Sequence, residues 1–420
     1  MSVSILITGA SGYIGSRLVV RAKRFGFQVI AAVRPGAGRA SLADTEVRHF
    51  DLTEPLDPSL MDGVGAVIHL AAVIREDSQP PGATEDFNVT GTRRLLRLAR
   101  ERRVARFLFV SSQSAAPHAP TKYGRSKWQI ERLLTEPGEI VIQPGMVTGG
   151  APHGVYGTLV KLCRRWPILP LVNGGAPVYP VHIDDLCDGM LEIVGGVVPE
   201  RGTVRFTPPA VVPFSQYVHM LASLRAGCAV ATLPVPVGPL LGMNRMIAKL
   251  RGWPLVSEER LQGLAALQVP SPRPQEHVIT VPSAAEHLAL EGRRRRLLVE
   301  GRTLFRYILG QRLSSMAVRH YVRAILREED PSPLRLPRAF VVWPTLLRCV
   351  EPVTGSQNVR LRRRLRAAMR IIEMTPQAAP VFHNYDRTPW FIAATRIVAV
   401  SLAELLLLPV RYLAADYSRY

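Results

Sequence analysis

Tyr123 and Lys127 stand four residues apart in the run Tyr123-Gly124-Arg125-Ser126-Lys127, and the pair Ser111-Ser112 closes an apolar stretch shortly before it. On a helix, positions i and i+4 share one face, about one turn apart. An ammonium beside a phenol favours the phenolate and lowers the tyrosine pKa from its usual value near 10. The phenol then becomes usable as an acid and base close to neutrality. A serine hydroxyl at the end of a neighbouring strand, Ser112, can hydrogen-bond the substrate oxygen. The same spacing also occurs in ordinary amphipathic helices, so the elements around it decide its meaning.

A second stretch suits phosphate chemistry. Thr8-Gly9-Ala10-Ser11-Gly12-Tyr13-Ile14-Gly15 follows the apolar run Val3–Ile7 and opens a helical pattern. Gly9 permits a tight strand-to-helix turn, Gly12 lets backbone approach a pyrophosphate, and Gly15 lets helix and strand pack closely. The helix N-terminus adds free N–H groups and a positive dipole. An acidic residue at the end of the second strand would hold the ribose 2′-hydroxyl of NAD, but Val33-Arg34 stands there, with Arg39 behind it. A guanidinium suits a 2′-phosphate, so NADP is favoured over NAD.

The elements that must position these groups alternate along the first half of the chain. Strands are predicted at Ser2–Thr8, Gln28–Val33, Glu46–Phe50, Ala66–Leu70, Arg106–Val110 and Glu139–Gln143, with helices at Tyr13–Phe25 and Asn88–Arg102. Such alternation implies an α/β fold with a doubly wound, Rossmann-type parallel sheet covered on both faces. Beyond residue 150 the pattern loosens into Pro- and Gly-rich segments, the character of a smaller substrate-binding lobe. From about Glu286 the chain becomes Arg-rich and helix-prone. The expected division is residues 1–288 for the Rossmann domain with its lobe (mainly 150–288) and 289–420 for a basic, mostly helical extension.

Composition bounds the rest. A chain of 420 residues, 47% hydrophobic, can bury one large core or two smaller ones. Cys163, Cys187, Cys228 and Cys349 show no metal-ligand or disulfide-framework spacing, so reduced thiols and no metal are expected. The chain opens on a strand-like run without a signal-type charge pattern, which suggests a cytoplasmic location. The apolar stretches 228–244 and 397–410 fall short of the ~20 residues that a spanning helix needs. The formal charge is +20, and from Leu288 onward the chain holds 23 Arg, no Lys and 10 Asp plus Glu. That balance suits an anionic surface such as phospholipid headgroups. Nucleic-acid binding is not expected, because no binding fold accompanies the charge.

Together these residues resemble the extended branch of the short-chain dehydrogenase/reductase superfamily, the NAD(P)-dependent epimerase/dehydratase-like proteins, over about residues 2–288. The marks in order are TGASGYIG; Asp51-Leu52; His69-Leu70-Ala71-Ala72; Asn88–Thr92; Val110-Ser111-Ser112; Tyr123–Lys127; Pro144-Gly145; and Val181–Leu186. The resemblance implies that Tyr123 is the acid/base, that Lys127 holds the nicotinamide ribose and tunes Tyr123, and that Ser112 aligns the substrate oxygen. It also implies that Asp51 and Leu52 contact the adenine, Ala71 and Ala72 the cofactor backbone, and Pro144-Gly145 the nicotinamide pocket. Asn88 would position the active-site loop, and His182, Asp184 and Asp185 would pack the lobes together.

Two departures stand against a nucleotide-sugar substrate. Ala116-Pro117 replaces the usual Tyr-Gly after the serine, and Gln143 replaces the arginine before Pro-Gly. The expected activity is hydride transfer at a carbinol or carbonyl carbon of a small-molecule substrate, either a nucleotide sugar or a sterol- or lipid-like molecule. The alternatives are a non-catalytic NAD(P)-binding scaffold or redox sensor, similar to accessory subunits of respiratory complex I, and a membrane-peripheral protein acting through its basic tail. A homodimer is left open. In the tail, Val359–Met374 places Leu361, Leu365, Ala368 and Ile372 on one apolar face with arginines opposite, a helix expected to dock on the main domain.

Overall fold

The computed structural model describes residues 3–34, 36, 42, 44–73, 86–197, 201–252, 258, 261, 263, 275–334, 336, 338–349 and 359–375, with 395, 398, 399, 401, 402 and 406 near the end. The chain divides into two compact units, 1–289 and 290–420.

Unit 1 is built on an eight-stranded parallel sheet. β1 (Ser4–Thr8), β2 (Gln28–Val33), β3 (Glu46–His49), β4 (Ala66–His69), β5 (Arg106–Val110) and β6 (Glu139–Pro144) fall within a residue or two of the predicted spans. The spatial order runs β3-β2-β1-β4-β5-β6, then Gly202–Thr207 and Glu276–Thr280 beyond β6. Alternating β1 side chains serve opposite layers: Ile5 and Ile7 pack with α1 (Tyr13–Arg24) and α5 (Ile183–Val194), while Leu6 packs with α2 (Phe87–Glu101). Strands buried on both faces carry near-continuous apolar runs, which is why their sequence signal is strong. Strand order reverses between β1 and β4, so a crevice opens there at the C-terminal ends, the usual ligand position in open α/β sheets.

The expected lobe boundary needs correcting. Gly202–Thr207, Glu276–Thr280 and α5 lie inside residues 150–288 yet belong to the main sheet and its covering layer. The chain leaves for the lobe and returns twice. The lobe core joins α4 (Gly154–Arg165), Ile168–Leu171 and Phe214–Met220 through Tyr156, Leu159, Val160, Leu169, Phe214, Tyr217 and Leu221. The apolar stretch 228–244 is divided between a short strand, Ala231–Pro234, and a helix, Val237–Arg251. Among the described residues no helix is long and apolar enough to cross a membrane.

Unit 2 has its own helical core. Leu361, Leu365, Ala368 and Ile372 of the helix Val359–Glu373 are buried against Leu297, Leu304, Phe305, Val318, Tyr321 and Ile325. Its apolar face is therefore occupied within unit 2, rather than docked on the main domain as the periodicity suggested. Arg364 on the same helix is 1% exposed. It pairs with Glu300 and Glu328 and donates to the carbonyls of Asp330 and Ser332. A buried cation needs partners of this kind.

Candidate active site

The glycine loop has the shape of a phosphate cradle. Gly9 has φ +67, and its N–H donates to Ala32 O at 3.1 Å, which ties the turn to β2. A Cβ at Gly9 would lie 2.9 Å from Ala71 N, and one at Gly15 only 2.2 Å from Gly9 O. Side chains are thus excluded where loop, helix and β4 meet. α1 starts at Gly12 with no side-chain cap and no acid in its first turn, and its basic residues sit in the last turn. A helix start without a side-chain cap or an acid, beside a glycine loop, suits an anion, so these residues fit a dinucleotide pyrophosphate. Ser11 is exposed at the loop tip, and Ile14 packs partly against the core. Tyr13 donates its hydroxyl to Gly149 O at 2.6 Å and stacks on His153, linking the loop to the segment after β6.

Thr8, the last residue of β1, organises the start of the next crossover. Its Oγ1 accepts from Leu70 N and Ala71 N, both at 3.2 Å, and lies 2.6 Å from His69 Nδ1. With two donors already on that oxygen, the hydroxyl proton goes to Nδ1, so the His69 proton sits on Nε2 and faces Thr92 Oγ1 at 2.9 Å. Burial, followed by the nearby Lys127 charge, pushes His69 down to about 3 and keeps the ring neutral. Ala71 and Ala72 follow, half-buried at the edge of the crevice. Asn88 grips Val73 with both ends of its amide, accepting from Val73 N at 2.7 Å and donating to Val73 O at 3.1 Å. Sequence reasoning treated His69 only as a motif mark, although its spacing to Thr8 across adjacent strands is a readable signal.

Just beyond β3, Asp51 Oδ1 accepts from Thr53 N and Thr53 Oγ1, both at 2.8 Å. Leu52 is buried, its carbonyl accepts from Arg94, and a Cβ at Gly91 would come within 2.5 Å of that oxygen. Arg34 is exposed immediately after β2, and Arg39 lies outside the described residues.

The Tyr-Lys pair lies on α3 (Lys122–Glu131), capped by Thr121, whose Oγ1 accepts from Gly124 N at 3.1 Å. Lys127 is 3% exposed, and its Nζ donates to Val110 O at 2.7 Å. The ammonium lies 4.5 Å from the Phe109 ring centre and 5.6 Å from that of Tyr123. Burial lowers it from the ordinary lysine range to about 8, partly opposed by the Glu131 charge. Gly124 lets α3 approach the serine loop: a Cβ there would meet Ser114 O at 2.6 Å and the Ala119 methyl at 2.7 Å. Ser112 Oγ accepts from Ser114 N at 3.2 Å and lies 2.9 Å from Ser114 Oγ. The twin serines therefore part company. Ser112 stays with the loop, while Ser111 donates to Glu131 Oε1 at 2.5 Å.

A cavity of about 80 Å³ opens beside this loop, lined by Gln113, Gln143, Gly145, Tyr179, Arg205, Phe206, Thr207 and Glu276. Pro144 ends β6, and a Cβ at Gly145 would lie 1.9 Å from Tyr179 O, so only glycine fits there. Gln143 donates to Glu131 Oε1 at 3.0 Å and accepts from Arg205 Nε at 2.9 Å, while Arg205 pairs with Glu276 at 2.9 Å. The guanidinium missing at position 143 is thus present one strand over. Sequence reasoning missed Arg205 and Glu276, because both lie on strands it did not assign.

Val181–Leu186 is structural. His182 caps α5 by accepting from Asp184 N, Asp184 pairs with Arg17 of α1 at 2.5 Å, and Asp188 pairs with Arg21. His182, Asp185 and His287 form a group of three potential metal ligands. The geometry does not suit an ion: His182 Nδ1 is engaged in the cap, its Nε2 packs against Gly149, and its ring stacks on His287 at 4.0 Å.

Residues 5–138 match the model of the NAD dependent epimerase/dehydratase family. Among curated relatives, a Dictyostelium discoideum protein, "NADH dehydrogenase [ubiquinone] 1 alpha subcomplex subunit 9, mitochondrial", is 24% identical over 242 residues, 54% of this chain and 66% of that one. The Escherichia coli O157:H7 "N-acetyl-alpha-D-glucosaminyl-diphospho-ditrans,octacis-undecaprenol 4-epimerase" is 29% identical over 197 residues, 38% of this chain and 54% of that one. The "Ceramide reductase" of Caulobacter vibrioides is 29% identical over 187 residues, 43% and 57% respectively. The chain thus spans from about half to just under two thirds of the length of these relatives. The resemblance read from the motifs is an epimerase/dehydratase-type one, carried by the Rossmann unit.

Proposed function

We propose that unit 1 is an NAD(P)-dependent oxidoreductase or epimerase in which Tyr123 is the acid/base. The observation that carries this reading is Lys127, buried against Phe109, anchored on Val110 O and facing the Tyr123 ring. A cation held inside a core at that point has an electrostatic cost that structure alone does not require. Lys127 keeps positive potential beside the phenol, Ser112 offers its hydroxyl to the substrate oxygen, and Gly124 holds the two segments together. The nicotinamide, when bound, supplies hydride exchange with a carbinol or carbonyl carbon. Tyr123 moves the proton to or from the oxygen on that carbon.

The expected substrate is lipid-linked or lipid-like. Two of the relatives are named for such molecules, and Gln143 and Ala116-Pro117 depart from the nucleotide-sugar pattern. Arg34 favours NADP, and Arg34→Asp should shift the ratio of dissociation constants toward NAD. Tyr123→Phe should abolish turnover and leave NADP affinity within about twofold. If cofactor affinity were lost instead, the acid/base assignment would be wrong.

A second reading, a nucleotide-binding scaffold, is favoured by the relative named as a respiratory-complex subunit. It predicts NADP binding with no turnover in the wild-type chain on any carbinol or carbonyl substrate. In unit 2, Arg363, Arg366 and Arg370 of one helix are exposed, as are Trp343 and Met374, residue types suited to an anionic bilayer. Liposome flotation with and without 290–420 tests that contact, and equal flotation of both forms removes it.

A further inference from the structure

The small parallel sheet of the lobe turns an apolar face to solvent. Ile168–Leu171 pairs with Ala231–Pro234, Ile168 opposite Ala231 and Pro170 opposite Leu233. Successive residues of a strand point to opposite faces. Leu169 and Leu171 enter the lobe core, so Ile168, Pro170, Ala231 and Leu233 share the other face, and all four are exposed. Ile168 is 57% exposed and Leu233 56%; Trp166, which closes α4 just ahead of this strand, is 47% exposed. The helix Val237–Arg251 comes next. It packs inward through Leu240 against Val172 and leaves Pro239, Met243, Met246 and Leu250 exposed at steps of four, three and four residues, which lie on one side of a helix.

The charge on these segments has one sign. Residues 140–183 and 201–257 contain two Lys and seven Arg but no Asp or Glu. Lys161 and Arg165 of α4, the latter adjoining Trp166, are exposed, as is Lys249 on the following helix. Single apolar side chains at a surface need no explanation, but a sheet face composed of them, with a Trp beside it, marks a contact surface. Trp favours the boundary between headgroups and acyl chains, and cations around an apolar face are attracted to anionic headgroups. A second copy seated on this face would bring like charges together with no carboxylate to offset them, which disfavours self-association.

We propose that the outer sheet face of the lobe, with Trp166 and the cations of α4, docks on an anionic phospholipid bilayer. All these residues belong to unit 1, so the contact is separate from that of the unit 2 arginines. It brings the lobe to the place where a lipid-linked substrate resides, and that consequence alone rests on the lipid-like substrate reading above.

The test uses the full chain and vesicles of phosphatidylcholine with or without phosphatidylglycerol, some carrying brominated acyl chains that quench nearby tryptophan. Wild type should partition onto the anionic vesicles and lose fluorescence on the brominated ones. Ile168→Ser combined with Leu233→Ser should weaken partitioning about tenfold, and Lys161→Glu combined with Arg165→Glu should abolish the preference for phosphatidylglycerol. Trp166→Phe should lose most of the quenching. Arg363→Gln combined with Arg366→Gln reports the unit 2 contact separately. Because the substituted lobe residues are exposed, the fold should persist, which circular dichroism checks, and NADPH affinity should stay within about twofold, so the active-site reading is tested apart from this one. Four results would overturn the proposal: no partitioning by wild type, equal partitioning by both lobe double variants, quenching unchanged in Trp166→Phe, or binding to polyglutamate without binding to vesicles. The last would assign the face to an acidic protein.

Discussion

Replacing Lys127 with Met should make the protein more stable near neutrality while removing its turnover. The folded chain holds Lys127 at about 8 because burial disfavours its charged form, against an ordinary value of 10.5 in the unfolded chain. At 1.36 kcal/mol per pH unit, this corresponds to roughly 3 kcal/mol of destabilisation wherever the ammonium is charged in both states. Between about pH 8 and 10.5 the unfolded chain binds the proton and the folded chain does not, so wild-type stability rises with pH across that window. Below pH 8 the cost is present in full. Met has a similar shape and no charge, but Val110 O loses its donor, which returns about 1 kcal/mol. The expected net gain at pH 7 is therefore ~2 kcal/mol. Urea midpoints measured by circular dichroism from pH 7 to 10.5 give the check, because the difference between the two proteins isolates this one group. That difference should start near 2 kcal/mol in favour of Met and reverse sign by pH 10.5. A constant difference across the window would refute the reasoning and mean that the ammonium is not buried as described.

Two further outcomes follow from the same core. His69 sits at about 3 in the folded chain and near 6.5 unfolded, so stability is lost as pH falls through 6.5, where only the unfolded chain takes up the proton. His69→Gln should flatten the stability slope between pH 6.5 and 5 by about 2 kcal/mol, measured by chemical unfolding at fixed ionic strength. Gly124→Ala should lower turnover more than tenfold with little change in NADP affinity. Its methyl would sit within 2.7 Å of Ser114 O and Ala119 and push α3 away from the serine loop, a displacement of the kind that reduces rates steeply.

β1, β2, β4, β5 and β6 were legible because burial on both faces demands unbroken apolar runs, whereas β3, the strand at one edge of the sheet, is weakly patterned. Gly202–Thr207 and Glu276–Thr280 escaped for the opposite reason. The first carries Arg205 in its middle, and the second is the outermost strand, with Glu276, His277 and Thr280 facing other groups or solvent. A pair such as Arg205–Glu276 is neutralised across the two strands, a relation that no single-strand pattern contains. In the site, residue types were readable but their directions were not. Ser111 and Ser112 are chemically identical in sequence, and the alternation of side chains at the end of β5 sends one to Glu131 and leaves the other beside Ser114.

The glycines explain why so much of the site could still be read. Gly9, Gly15, Gly91, Gly124 and Gly145 each stand where a Cβ would come within 3 Å of backbone from a different element. Each therefore marks a point where two chain segments must touch: loop to β4, helix to loop, α2 to the Asp51-Leu52 turn, α3 to the serine loop, β6 to Tyr179. Four of the five lie inside motifs singled out for chemistry, and the fifth, Gly91, lies in the Asn88–Thr92 mark that had been given only a structural role. Close approach, rather than reactivity, is thus the property those motifs share. A substitution at any of them should disturb the site through distance while leaving every reactive group present.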